Sequence, residues 1–243
     1  RGIYAAYGSY SHAVKSWQFR AGLRFELTRL FTQFKDTALQ IPNFNNLVPN
    51  LLIKKTINEK GALTYSYNPR INRPYLFVLN PNINYVDSLN ITYGNPGLLP
   101  EIWHNHMLDY NYNNKSIFAG IALQYTRRTR GIEEIRILRP DKIVETTYRN
   151  IGHAQNWGLS GSLRYNNGKL SLGTTVVVRH ISLESPALNL SNSGFQATVD
   201  INSSYRFKKG FSIESFIYYE SGSIALQLKR NRYLFYNLLL GKK

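Results

Sequence analysis

The sequence predicts an all-β chain folded as an antiparallel up-and-down transmembrane β-barrel, and three observations carry that expectation. Apolar and polar residues alternate with period two over stretches of up to about 12 or 13 residues, longer than the roughly 5 to 6 of ordinary globular strands. The links between those stretches alternate short and long, as in a meander trimmed at one rim and elaborated at the other. The polar faces hold ionic and amide side chains suited to a wet lumen, whereas the apolar faces set aromatic residues near strand ends, as an interfacial girdle does. A soluble β-sandwich also alternates and remains the competing fold.

Taken in order, a first strand reads over 3–10 and a second over 17–28. In the second, Trp17, Phe19, Ala21, Leu23, Phe25 and Leu27 alternate with Gln18, Arg20, Gly22, Arg24, Glu26 and Thr28. A helix at 100° per residue would scatter both sets, so only a strand gives one apolar face. Residues 30–40 read as a loop able to form a short helix with Phe31, Phe34 and Ala38 on one side. Strands over 47–56 and 62–68 flank the turn Asn58-Glu59-Lys60-Gly61, and the link 70–101, holding Pro74, Pro81, Pro96 and Pro100, reads as a loop. Strands over 102–112 and 117–128 flank Asn113-Asn114-Lys115, and a second loop covers 130–142. A strand over 143–151 runs into 155–165 and turns at Asn166-Asn167-Gly168-Lys169 into 170–181; Asn-Gly is the strongest short hairpin signal.

After a link at 182–192, Phe195, Ala197, Val199, Ile201, Tyr205 and Phe207 alternate with Gln196, Thr198, Asp200, Asn202, Ser204 and Arg206, broken on the apolar side by Ser203. Lys208-Lys209-Gly210 then turns into 211–220, a link spans 221–230, and 231–240 completes eleven strands before Gly241-Lys242-Lys243, which reads as a turn.

Composition narrows the function. The 243 residues carry 30 Lys and Arg against 14 Asp and Glu, a net charge of +16, so anionic partners such as nucleic acid, lipid headgroups or acidic ligands come into view. With no cysteine, disulfide frameworks, thiol nucleophiles and cysteine-based metal sites are excluded. The longest nearly apolar run, Tyr233 to Leu240, falls far short of the roughly 18 to 20 residues of a spanning helix. Residues 1–10 lack the ordered regions of a signal peptide, so the chain reads as mature or as a piece.

The stretch Arg73-Pro74-Tyr75-Leu76-Phe77-Val78-Leu79-Asn80-Pro81, followed by Tyr85-Val86-Asp87 and by Gly94-Asn95-Pro96-Gly97-Leu98-Leu99-Pro100-Glu101, resembles the barrel domain of TonB-dependent outer-membrane receptors. It is most similar to the outer-membrane β-barrel family common in Bacteroidota. Gly22–Glu26, Tyr148–Gly152 and Trp157-Gly158-Leu159 fit the same family, so the resemblance covers essentially the whole chain. It implies a barrel of roughly 22 strands in the outer membrane of a Gram-negative bacterium, plugged by an N-terminal domain and driven through TonB. Eleven strands are half of that, and closed bacterial barrels have even counts. Residues 1–243 are therefore expected to be part of a single barrel domain, an internal fragment without plug or TonB-contacting segment. A passive porin or an assembly barrel is the alternative within membranes, and a soluble basic sandwich binding glycan or nucleic acid the alternative outside them.

Candidate sites follow. Arg73, Pro74, Asn80, Pro81, Gly94, Asn95, Pro96, Leu98, Pro100 and Glu101 suit a structural role, since Gly and Asn tolerate positive φ, Pro fixes it, and Glu101 can accept hydrogen bonds where the next strand starts. Arg127, Arg128, Arg130, Arg136 and Arg139, with Lys142, form the best cluster for an anion, either lipopolysaccharide phosphate or a ligand such as a ferric chelate. Arg20, Arg24, Glu26, Asp200 and Arg206 are expected to face the lumen, with Arg164, Arg179 and Glu214. His104 and His106 share a strand face but lack a matched third ligand and read as belt residues, while Glu133 and Glu134 point to opposite faces and cannot act as an acid/base pair. No enzymatic activity, metal, cofactor or, for the barrel, nucleic-acid partner is expected.

Overall fold

The computed structural model describes residues 2–29, 31–34, 37–40, 43–226 and 231–242. In chain order its strands are β1 (Gly2–Val14), β2 (Trp17–Arg29), the short β3 (Phe31–Phe34) and β4 (Thr37–Gln40), β5 (Phe44–Thr56), β6 (Gly61–Tyr67) and β7 (Arg70–Asn72). One helical turn, α1 (Leu76–Leu79), precedes the short β8 (Asn84–Tyr85) and β9 (Asn90–Thr92). The long strands β10 (Glu101–Asn113), β11 (Ile117–Leu138), β12 (Val144–Asn166), β13 (Leu170–Ser185), β14 (Leu190–Arg206), β15 (Phe211–Glu220) and β16 (Tyr233–Lys242) complete the chain. The main sheet runs β1-β2-β5-β6-β10-β11-β12-β13-β14-β15-β16, which are the eleven strands read from alternation. All neighbours on that path are antiparallel, and the path does not close on itself among the described residues.

Register fixes the two faces. Tyr7, Arg24 and Val48 stand in one row and Ala5, Glu26 and Asn46 in the row two residues on, so they share a face. Loop residue Arg73 reaches Glu26 and Thr28 from that side, which defines it as the inner face. Carried across the sheet, the register puts Arg20, Arg24, Glu26, Arg164, Arg179, Asp200, Arg206 and Glu214 on it. The outer face carries Leu23, Phe25, Leu123, Trp157, Leu159 and Phe195, all large, apolar and exposed. An apolar wall without a protein partner is what a lipid-facing barrel presents.

Four expectations need correction. Within the loop expected over 30–40 the described residues are strand, β3 and β4 pairing antiparallel, while residues 30, 35 and 36 lie outside the described residues. The loop expected over 130–142 is largely strand, because β11 continues to Leu138 and β12 begins at Val144, leaving only 139–143 as the turn. The link expected over 182–192 is likewise strand on both sides of a 3-10 turn at Pro186–Leu188. Gly241 and Lys242 extend β16 opposite Ser212 and Phe211 instead of turning. The physical reason is shared by the second and third cases: strands that leave a membrane keep their ladder hydrogen bonds but lose the alternation that betrays them, since both faces are then wet. Within the link at 221–230, residues 227–230 lie outside the described residues, as does Lys243.

The buried apolar core lies over the inner face. Phe44, Leu79 and Leu98 are almost fully buried together, with Val78, Ile132 and Tyr148 packed against them. Each such leucine contributes about 1.5 to 3 kcal/mol by leaving water, enough to pin the 70–101 loop to the sheet.

Candidate functional site

The 70–101 segment is a folded lid of hydrogen bonds. Gly94 N–H donates to the Asn80 carbonyl at 2.6 Å and Asn95 N–H to the Val78 carbonyl at 2.7 Å, tying the segment's second half to its first. The Asn95 side chain accepts from Gly97 N–H and donates to the Tyr148 carbonyl, while Asn150 bonds both backbone groups of Leu99. A Cβ on Gly94 would stand 2.5 Å from the Val78 carbonyl oxygen and 2.6 Å from the Asn80 nitrogen, so only glycine permits this approach.

Glu101 anchors the lid's end. Its carboxylate, 4% exposed as a residue, accepts from Asn72 at 2.8 Å, the Trp103 indole at 3.0 Å, Ile132 N–H at 2.7 Å and Arg128 at 3.4 Å. Arg128 also pairs with Glu133 and lies over the Trp103 ring. A mirror of this clamp stands across the sheet, where Glu26 pairs with both Arg24 and Arg73.

The expected arginine cluster is therefore not placed as one patch. Arg128 is consumed by Glu101 and Glu133; Arg136 pairs with Glu134 at 2.8 Å and Arg139 with Asp141 at 3.0 Å. Arg127 points to the opposite face from Arg128, beside His104 and Gln155 in register. Arg130 sits in a β-bulge with φ 56°, where the β11–β12 register shifts. The cluster is close in sequence, but strand parity and local acids divide it.

What the fold does bring together are the 70–101 segment and the β11–β12 hairpin. β9 pairs in parallel with β12 at Val144–Thr146, filling the position beside β12 that β13 leaves beyond His153. The result is a cleft of about 600 Å³ between the lid and the β11–β12 hairpin. Its lid side holds Ile83, Ile91, Tyr93 and Pro96, and its hairpin side Glu145, Thr147, Arg149 and Arg139. Of these polar groups only Arg139 was a sequence candidate. Tyr93, Glu145 and Arg149 escaped notice because a parallel pairing between residues some fifty positions apart leaves no local signal. A second cavity, about 610 Å³, lies on the inner wall and is lined by Arg24, Glu26, Arg70, Arg73, Tyr7 and Asn50.

Within the cleft the Tyr93 hydroxyl donates to the Glu145 carboxylate. That bond, then burial, raises the Tyr93 phenol above its ordinary 10.0. A raised folded-state value means that the phenol's stabilising contribution is complete below pH 10 and is lost as pH climbs through the raised value. Spectrophotometric titration should show Tyr93 among the late-ionising tyrosines, and Glu145→Gln should move one phenol of that late group back toward 10; an unaltered curve would break the assignment.

His104 and His106 lie on the outer face and bond Tyr67 and Tyr65 through Nδ1 at 2.9 Å. His106 stacks on Tyr67 at 4.6 Å and Tyr125 packs on Trp157 at 4.4 Å, making an aromatic patch across four strands.

Comparison with known proteins gives this architecture its place. The model of the outer membrane protein beta-barrel family matches residues 1–243. The chain belongs to that family. Its location is accordingly the outer membrane of a Gram-negative bacterium, and the soluble sandwich falls away. The fold is also that of solved receptor barrels. The FrpB iron transporter of Neisseria meningitidis is similar with a TM-score of 0.65 at 16% identity, over 98% of this chain and 38% of that one. The ferric yersiniabactin uptake receptor FyuA of Yersinia pestis gives 0.64 at 14% identity, over 99% and 38%. The siderophore receptor PirA of Acinetobacter baumannii gives 0.64 at 15% identity, over 99% and 39%. The chain thus spans well under half the length of these structures. No curated protein sequence matches it.

Proposed function

We propose that residues 1–243 form part of the wall of a single barrel domain in a TonB-dependent uptake receptor. The observation that carries this reading is the lid held over the inner face and joined to the β11–β12 hairpin in a cleft with two arginines, Arg139 and Arg149. A passive pore has no need of a lid clamped by two separate carboxylate–arginine pairs. In the intact receptor the barrel has roughly 22 strands, a plug domain fills the lumen, and TonB supplies the energy through the plug's N-terminal side. The solved transporters and receptors that share the fold, described as carrying iron, ferric yersiniabactin or siderophores, support an uptake role.

The ligand of this reading is an anionic molecule with an apolar body. Arg149 is exposed and has no ion pair among the described residues, while Ile83, Ile91 and Pro96 supply apolar contact. No cofactor, catalytic step or nucleic acid enters the mechanism. Ferric citrate serves as an anionic probe and cyanocobalamin as a probe without net charge. Arg139→Ser with Arg149→Ser in the full-length receptor should weaken binding of the anionic probe at least about tenfold, the effect of losing one or two charge-assisted hydrogen bonds. Equal uptake of both probes by wild type and variant would remove the cleft from the pathway. Uptake that persists in cells without TonB would instead point to a passive barrel.

A further inference from the structure

The outer wall holds a polar break that uptake does not use. Along β11 the outward side chains run Ala119, Ile121, Leu123, Tyr125 and then Arg127. On β12 they run Leu163, Gly161, Leu159, Trp157 and then Gln155; on β10, Tyr110, Leu108, His106 and then His104. From Leu108, Leu123 and Leu159, which stand in one row, each strand passes at the same step to an aromatic or imidazole ring and then to a hydrogen-bonding head. Register sets the three heads side by side, His104 opposite Arg127 and Arg127 opposite Gln155.

Arg127 is exposed and has no ion pair among the described residues, unlike its neighbour Arg128. A guanidinium at the margin of an apolar wall is matched by an anion whose remaining substance is apolar. The wall below supplies the second half of that match. Gly161 faces outward opposite Ile121, and a Cβ built on it meets no atom within 4 Å, so the wall has a slot there between Leu159 and Leu163. From Arg127 to Ile121 is six residues, about 20 Å along a strand, the scale of a fatty acyl chain.

We propose that Arg127, flanked by His104 and Gln155, holds the phosphate of an acylated lipid in the outer leaflet, with one acyl chain lying over Tyr125 and Trp157 into the slot at Gly161. The guanidinium donates two hydrogen bonds to phosphate oxygens in a fork a lysine cannot reproduce. The aromatic rings cover the region between headgroup and chain, where amphipathic rings settle in membranes. The site depends on the outer-membrane location and is indifferent to which ligand, if any, the barrel transports.

The test is native mass spectrometry of the full-length protein extracted from outer membranes in mild detergent, with hexa-acylated lipid A bisphosphate and its dephosphorylated form added as probes. Wild type should retain the phosphorylated probe, and Arg127→Gln should lower that retention about tenfold with little change toward the dephosphorylated one. Gly161→Leu should fill the slot and lower retention of both probes while leaving Arg127 in place. Excess inorganic phosphate should compete weakly; full competition would mean that the site takes free phosphate and not lipid. Equal retention of the phosphorylated probe by wild type and Arg127→Gln would overturn the proposal. Should Arg127→Gln fail to fold, Arg127→Lys carries the same comparison, and with Gly161→Leu unaltered retention again counts against the site.

Discussion

Replacing Glu101 by alanine should release the lid from the hairpin and produce the largest loss of local stability in the molecule. The carboxylate is 5% exposed and Arg128 14%, so removing one partner strands a largely buried cation whose remaining acid is Glu133. It also orphans Asn72, the Trp103 indole and the Ile132 amide together. Breaking a buried pair in this way costs about 3 to 5 kcal/mol, and Glu133 keeps the figure near the lower end. Limited proteolysis in detergent should then cleave within 73–99 much faster than in wild type. Glu101→Gln should fall between, because its single amide oxygen keeps an acceptor for one side of the clamp, Ile132 or Asn72, while the charge and the other acceptor are lost. Equal cleavage rates for wild type and Glu101→Ala would show that the apolar contacts of Leu79 and Leu98 hold the lid unaided.

Gly94→Val should be nearly as damaging, by a steric route. Its Cβ would have to occupy space within 2.6 Å of backbone atoms at Val78 and Asn80, and backbone cannot swing aside as a side chain can. The two bonds that Gly94 and Asn95 make to that turn would open, and Leu98 would leave its buried position beside Phe44 and Leu79. A loss of several kcal/mol is expected, at the upper end of single substitutions. Gly97→Ala is the control: the nearest atom to its Cβ is the Asn95 side-chain oxygen at 3.2 Å, which asks for a shift of only a few tenths of an ångström. Thermal unfolding of both variants in the same detergent separates the cases, and equal midpoints would remove the packing argument.

The two substitutions also show which parts of this molecule a linear reading reaches. The eleven wall strands were legible because lipid on one side and a wet lumen on the other impose period two on every residue, as between Trp17 and Thr28. Once β11 and β12 rise past Arg128 that constraint ends, and Glu133, Glu134 and Arg136 look like loop although they are paired strand. The hairpin β3–β4 was missed for a related reason, since four-residue strands are too short for periodicity to register. Glu101 could be picked out from its place at the start of a strand, yet its partners Arg128 and Ile132 are set by a bulge that no local pattern announces. The separation of Arg127 from Arg128 follows from parity alone; it was obscured because the run of arginines looked like one loop. The cleft depends on the parallel β9–β12 pairing and could only come from the fold.

The β11–β12 hairpin has a further meaning when its length is set against the bilayer. Strands of 22 and 23 residues reach about 70 Å, whereas the hydrocarbon layer is about 30 Å thick, so even a strongly inclined pair stands well clear of the surface. Its register shifts at Arg128/Gly131 and Gly131/Ile132 bend the ribbon where the Glu101 clamp grips it, which makes that point a fulcrum. The tip at Arg139–Asp141 is then a spar whose bearing is fixed from below, held clear of the wall it rises from.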